Sequence, residues 1–462
     1  MAVLSTPWTT ALLVTLPALP AAAVAALAVL RWLTGRRSEE KRVSALFGIA
    51  FTGVTLASAL LALQLFQTER LAIEADLGNW FAVGHYEFSL RLRGDRLSLP
   101  FALFTAILVG VIAAFSRKYL HREAGFHRFY LLLGLFGAGV ELVVLAGSLD
   151  LLFFGWEIVG LSSALLIAFF HDRPKPVEHA LRTFVTYRAC DVGLLAAIVW
   201  MHASAGGSSL VFSDPDLRWP GLVVPSDSRD ALIVALLLLW ASIGKSAQIP
   251  LGGWLPRAME GPTPSSAIFY GAISVHLGPY LLLRAAPLLE AAPVAATAVV
   301  VVGLATALHA TFVGRVQSDI KSALAYASMT QLGLIFVEIG LGLHLLALAH
   351  IVGHASIRSL QILRSPSLLH HHHHLEQAMG RQLPRTGGHI ERFVPARFQA
   401  GLYRHALERG HFDSLLSDWV VDPFFRGMLA VDRWERRLER WVGGEGDLPK
   451  SDAERAGSER RQ

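Results

Sequence analysis

The sequence has a single cysteine, Cys190, in 462 residues. One thiol builds neither a disulfide framework nor a cysteine-based zinc site. Charge is scarce too: 17% of residues are charged, against 53% hydrophobic. With a mean hydropathy of +0.46, this excludes an ordinary soluble domain and points to a chain that crosses a membrane many times. The N-terminus lacks the basic start of a secretory signal. No Lys or Arg precedes Trp8, and Arg31, Arg36 and Arg37 follow the apolar run instead. The segment therefore reads as a retained first helix. The formal net charge of +5 is concentrated in loops and in the tail. There it reads as an orientation signal rather than a nucleic-acid surface.

Apolar runs of roughly 20 residues predict an all-α polytopic membrane protein with about 11 transmembrane helices. They fall near 10–32, 44–66, 98–116, 127–147, 149–170, 179–203, 231–250, 265–288, 293–313, 323–342 and 344–363. Basic connections near 36–42, 117–128, 171–182 and 315–321 alternate with mixed or acidic ones at 67–96 and 204–230. That alternation predicts an outside N-terminus and a cytoplasmic tail. Between the second and third spans, Tyr86-Glu87-Phe88-Ser89-Leu90-Arg91-Leu92-Arg93 alternates strictly and predicts a β-hairpin arm.

The stretch Gly244-Lys245-Ser246-Ala247-Gln248-Ile249-Pro250 lies where the seventh span should still be running. Lys at that depth is costly and by default marks an ion pathway. Pro250, Gly252 and Gly253 break the helix, and a broken membrane helix is tolerated only where protein or a watery cavity satisfies its backbone. In the fifth span Glu157 has no local partner. A buried Glu157 near Lys245 would form a proton-exchanging pair, or a static salt bridge. Arg188 and Asp191 stand three apart on the sixth span, where structural pairing is as good a reading as function. Tyr270 and His276 on the eighth are relay groups or ordinary satisfied polar residues. Lys321 opens the tenth span, as a path residue or an interfacial anchor.

On the eleventh span His350, His354, Arg358 and Gln361 recur on one helical face. Two imidazoles at i, i+4 suit a proton wire. Structural polar packing and a metal pair are the competing readings, although no carboxylate or Cys on that helix completes a metal site. The boundary between membrane domain and tail is expected at 364/365. The tail holds five histidines, His370 to His374, which can chelate adventitious metal. Within it, residues 412–442 interleave Trp419, Met428, Leu429, Trp434 and Leu438 with charges, which predicts an interfacial amphipathic helix.

Together these motifs resemble the proton-translocating membrane subunits of complex I and of multisubunit cation/proton antiporters. Glu157 in Gly-Trp-Glu-x-Val-Gly-Leu, Asp191 in Arg-x-x-Asp and Lys245 in Gly-Lys-Ser-Ala-Gln-x-Pro match that family's proton-path positions. The likeness runs from about residue 80 to about 364. It implies an antiporter-like fold, here lacking the family's second broken helix and the helices beyond it. Tyr270 stands where the family's respiratory subunits usually carry His, and Arg358 where they carry Lys. In those departures the chain is similar to the membrane subunits of inorganic-carbon accumulation complexes. That similarity implies a bacterial inner-membrane subunit that conducts H+ or Na+ and is not itself an enzyme. It implies no cofactor or metal in this chain, and a carbonic-anhydrase-related partner that carries zinc and hydrates CO2 to bicarbonate. A respiratory or hydrogenase subunit, a cation/proton antiporter and a non-conducting anchor are the alternatives.

Overall fold

The computed structural model describes residues 3–4, 6–34, 39–68, 71–84, 86–204, 220–379, 395–416, 418–419 and 422–443. The chain divides into two compact units, Met1–Glu408 and Arg409–Gln462.

The first unit is a helical membrane bundle with a small sheet at one end. Strand β1 (Val3–Leu4) leads into α1 (Pro7–Thr34) and α2 (Glu40–Gln67), then β2 (Ala72–Val83) and β3 (Tyr86–Asp95). The sheet order is β1-β2-β3, with β1 parallel to β2 and β2 antiparallel to β3. The alternation of Tyr86 to Arg93 therefore marks a real strand. Helices α3 (Ser98–Tyr119), α4 (Phe126–Leu145), α5 (Leu149–Ile167), α6 (Pro174–Ser204) and α7 (Ser228–Lys245) follow. Beyond the break come the short helices α8 (Trp254–Arg257) and α9 (Thr263–Ser265), then a π-helical stretch, Ser266–Ala272. The chain continues through α10 (Leu277–Arg284), α11 (Ala286–Ala291), α12 (Pro293–Gly314), α13 (Ile320–Gly340), α14 (His344–Met379) and α15 (Ala396–Leu407).

Among the described residues, ten helical segments are long and apolar enough to cross a membrane. Helix α7, with Arg229, Asp230 and Lys245, is the further crossing expected from the sequence. The segment Thr263–Arg284 is wholly buried, so the bundle is built around the irregular eighth span. Large apolar side chains such as Ile49, Val192, Val301 and Leu345 point outward, as lipid-facing surface must. Helices α12 and α13 cross at Gly303 and Gly333. A Cβ on Gly333 would lie 2.8 Å from the Ala307 nitrogen, so only glycine allows that approach.

The sheet marks one end of the bundle. Gly147 N–H donates to Arg91 O at 2.7 Å and Tyr86 OH to Asp150 at 3.1 Å, fixing the α4–α5 turn beneath β3. Because β1 pairs with β2, α1 starts on this hairpin side. Counting crossings from there, α14 also starts on it and runs to the opposite side.

Helix α14 does not stop at residue 364. It passes through Pro366, which cannot donate to the Ile362 carbonyl. The Ser365 hydroxyl donates to that carbonyl instead, at 2.8 Å. The expected domain boundary thus falls inside a continuous helix, which includes the backbone of His370 to His374. The second unit contains α16 (Phe412–Leu416) and α17 (Asp422–Gly443). On α17, Met428, Leu429, Val431, Trp434 and Leu438 are exposed. Of the stretch expected as one amphipathic helix, 412–442, the described helical segments are Phe412–Leu416 and Asp422–Gly443.

Candidate functional site

Helix α7 ends at Lys245 for a backbone reason. Ala247 adopts a left-handed conformation, with φ +52°. Gln248 N–H then donates to Ile243 O at 2.9 Å, and Ala247 N–H to Gly244 O at 3.5 Å. That is the Schellman arrangement of a helix C-terminus. Two further backbone groups at the break are met by protein. Trp254 Nε1 donates to Gly244 O at 3.0 Å, and Ile249 N–H to Thr306 Oγ1 at 3.1 Å. The break is thus tolerable at membrane depth.

Lys245 is buried, at 1% exposure. Its Nζ donates to Trp156 O at 3.1 Å and sits 4.7 Å from the Trp156 ring centre and 4.6 Å from that of Tyr187. These faces stabilise a desolvated ammonium. The direct Glu157–Lys245 pair expected from the sequence does not form. Glu157 is taken by Arg188, which also holds Asp191 at 2.7 Å. Trp156 Nε1 donates to the other Asp191 oxygen at 2.5 Å. Arg188 wins because its planar fork reaches both carboxylates. Lys245 still belongs to the cluster. A Cβ on Gly160 would meet Arg188 Nη2 at 3.1 Å and Lys245 Nζ at 3.3 Å, so both cations converge on one point of α5.

From Lys245 an aromatic bridge leads inward. The Trp254 ring lies 4.9 Å from Tyr187 and 5.7 Å from Tyr270. Tyr270 OH donates to Ser163 O at 3.3 Å. Farther along, His276 Nε2 and His354 Nδ1 are 3.0 Å apart, and His276 Nδ1 contacts Ala272 O. The His350 and His354 rings are 6.4 Å apart. Arg358 is buried beside Gly271, whereas Gln361, expected on the same face, is exposed. Lys321 donates to Met259 O at 3.5 Å. It stands at the start of α13, the end opposite the hairpin, apart from the histidines.

Several groups were not evident from spacing along the chain. His350 is held by Glu338 at 2.8 Å and Gln331 at 2.9 Å, both on α13. Asp95 and Arg284 form a buried two-point pair at 2.5 and 3.1 Å. Glu141 is buried on α4 with Thr105 Oγ1 at 3.0 Å. Each is a charged residue in or beside an apolar run, the signal that exposed Glu157. Among the described residues no three His, Cys, Asp or Glu side chains converge to hold a metal.

The profile of the NADH:quinone oxidoreductase/Mrp antiporter transmembrane family matches residues 146–382, a range that takes in the candidate site from Glu157 to Arg358. The chain belongs to this family. A second profile, the N-terminus of complex I chain 5, matches residues 80–130. Among this antiporter family, NADH-quinone oxidoreductase subunit L of Rhodobacter capsulatus is 34% identical over 398 residues, covering 83% of this chain and 55% of that protein. Subunit L of Escherichia coli (strain K12) is 35% identical over 348 residues, covering 75% and 56%. The chain thus spans about half the length of the curated relatives it matches. A chain of the Mrp complex from Dietzia sp. DQ12-45-1b superposes with a TM-score of 0.63 at 30% identity, over 76% of this chain and 37% of that one. A chain of an archaeal membrane-bound sulfane sulfur reductase gives 0.62 at 19% identity, over 76% and 70%, and shares the fold.

Proposed function

We propose that the chain is a proton-conducting membrane subunit of a complex I/Mrp-type assembly. The observation that carries this reading is the line of buried and half-buried polar and aromatic groups. It runs from Glu157, Arg188 and Asp191 through Lys245, Tyr187, Trp254 and Tyr270 toward His276, His354, His350 and Glu338. A membrane anchor has no reason to bear the cost of these groups. One charge moved across 100 mV releases about 2.3 kcal/mol. That energy is available to whatever chemistry an associated subunit performs. The test is voltage-driven proton uptake by the chain, reconstituted with its native partners. Uptake should depend on Lys245, and equal uptake by Lys245→Ala would overturn the reading.

A finer reading is favoured by Tyr270 and Arg358 at positions where respiratory relatives usually carry His and Lys. By that resemblance the chain is a DabB-type subunit, with a cytoplasmic tail and an outside N-terminus in a bacterial inner membrane. It would use an H+ or Na+ gradient to drive CO2 hydration by a DabA-like zinc partner. Purification with native partners, followed by zinc analysis, separates the readings. Quinone- or hydrogenase-type subunits in place of a zinc protein would overturn this one.

A further inference from the structure

Glu141 is a charged-type residue that the line from Glu157 to Glu338 does not use. It is 1% exposed and sits on α4 one turn before Val144. Its Oε1 lies 3.0 Å from Thr105 Oγ1, and its Oε2 has no partner. Among the described residues no cation pairs with it. The Thr105 hydroxyl is also 2.9 Å from Ala102 O.

Counting donors decides which form fits. An ionised carboxylate offers about four acceptor sites, yet a single hydroxyl hydrogen is at hand, and Ala102 O competes for it. Leaving such a charge buried and unpaired is far more costly than leaving a neutral group so. With a proton on Glu141 the arrangement closes. The acid O–H donates to Thr105 Oγ1, and the Thr105 O–H donates to Ala102 O.

A polar column leads from this point to the hairpin. Tyr280 OH donates to Val144 O at 2.6 Å, one turn from Glu141 on α4. Arg284 donates to the Tyr280 oxygen at 2.9 and 3.1 Å and is paired with Asp95. Asp95 lies 3.6 Å from Arg93, which holds Glu74 at 2.5 Å. The Glu74 side chain is 23% exposed. In the other direction along α4, the buried neighbours Ala138, Gly137 and Phe136 are apolar.

We infer that Glu141 is a second proton-binding site, held at membrane depth by Thr105 and exchanging with the hairpin side past Tyr280, Arg284 and Asp95. Release breaks the Glu141 O–H bond, leaves the electron pair on the carboxylate and passes the proton to water at the hairpin. This site is separate from the line of the proposed function, and its test does not require that line to conduct.

The test is infrared difference spectroscopy at neutral pH on the full chain with its co-purifying subunits, in lipid nanodiscs. A carboxylic-acid C=O band should be present in the native chain, missing in Glu141→Gln and shifted in Glu141→Asp. The band should move on transfer to D2O, and Tyr280→Phe should slow that movement several-fold. Identical acid bands in the native chain and Glu141→Gln would overturn the bound proton. Loss of the band on adding NaCl, but not choline chloride, would replace the proton with a sodium ion. An exchange rate unchanged in Tyr280→Phe would overturn the route. Should Glu141→Gln fail to assemble, the shifted band of Glu141→Asp gives the same assignment.

Discussion

His276 Nε2 and His354 Nδ1 lie 3.0 Å apart, although 78 positions separate them in the chain. The Ala272 carbonyl can only accept, so the His276 Nδ1 that touches it carries the hydrogen. In the neutral ring Nε2 is then an acceptor, and His354 Nδ1 donates to it. The second nitrogen of His354 has no partner. One backbone carbonyl thus sets the tautomer of both rings.

His354→Gln should lower voltage-driven proton uptake by about 100-fold or more, the usual scale for losing a positioned proton-transfer group. Assembly, read by size-exclusion chromatography, should be unchanged. Uptake within a factor of two of the native chain would remove His354 from the path.

Gly160→Ala tests the point where Arg188 and Lys245 converge. The added methyl meets the far ends of two flexible side chains, at 3.1 and 3.3 Å, not backbone. The protein should fold and assemble normally while uptake falls several-fold. An unaltered rate would show that the spacing of these cations does not matter.

Glu338→Gln removes the charge that His350 Nδ1 contacts but keeps an oxygen acceptor. If Glu338 only orients the ring, uptake should survive. A proton-accepting role predicts a loss comparable to that of His354→Gln, and we expect the loss. Paired measurement of both variants in one preparation decides the matter.

Asp95 bears on stability. Burial alone would raise its carboxyl pKa, but the Arg284 guanidinium, Ser98 N–H and Arg93 hold it below the ordinary value. The unfolded chain therefore binds the proton more readily than the folded one. The contribution is complete above the unfolded pKa of about 3.9 and is lost as pH falls through the lower folded value. Thermal unfolding should show no Asp95-dependent change from pH 6 to 8 and an acid-side loss that Asp95→Asn lacks. At neutral pH Asp95→Asn should cost about 3–5 kcal/mol, because it removes the buried carboxylate to which the Arg284 guanidinium donates twice.

Much of this was legible before any coordinates, because a charge inside an apolar run is conspicuous. Glu157, Lys245, His350 and His354 stand out for that reason, and the break after Lys245 is announced by Pro250 and two glycines. The choice of partners was not legible. Spacing along one helix shows that Arg188 can reach Asp191. It does not show that the same guanidinium reaches across to Glu157 on α5 and displaces Lys245 from that pairing. Glu338 was hidden likewise, because it meets His350 from a neighbouring helix. Pro262 and Pro264 precede the π-helical stretch at Ser266–Ala272 and Gly271 lies within it, but they mark only an irregular helix start and do not specify π rather than α turns. The run of α14 past Pro366 depended on a local rescue by Ser365 that composition does not reveal.

Arg188 grips both Glu157 and Asp191, and a guanidinium keeps its proton under any condition the cell meets. It is therefore ballast. With two acids and one permanent cation, the trio carries a single surplus negative charge, and Lys245 balances it only while protonated. A proton leaving Lys245 tips the whole quartet by one unit. In a chain that conducts as proposed, the next proton would be drawn in by a deficit that no rearrangement of side chains needs to create.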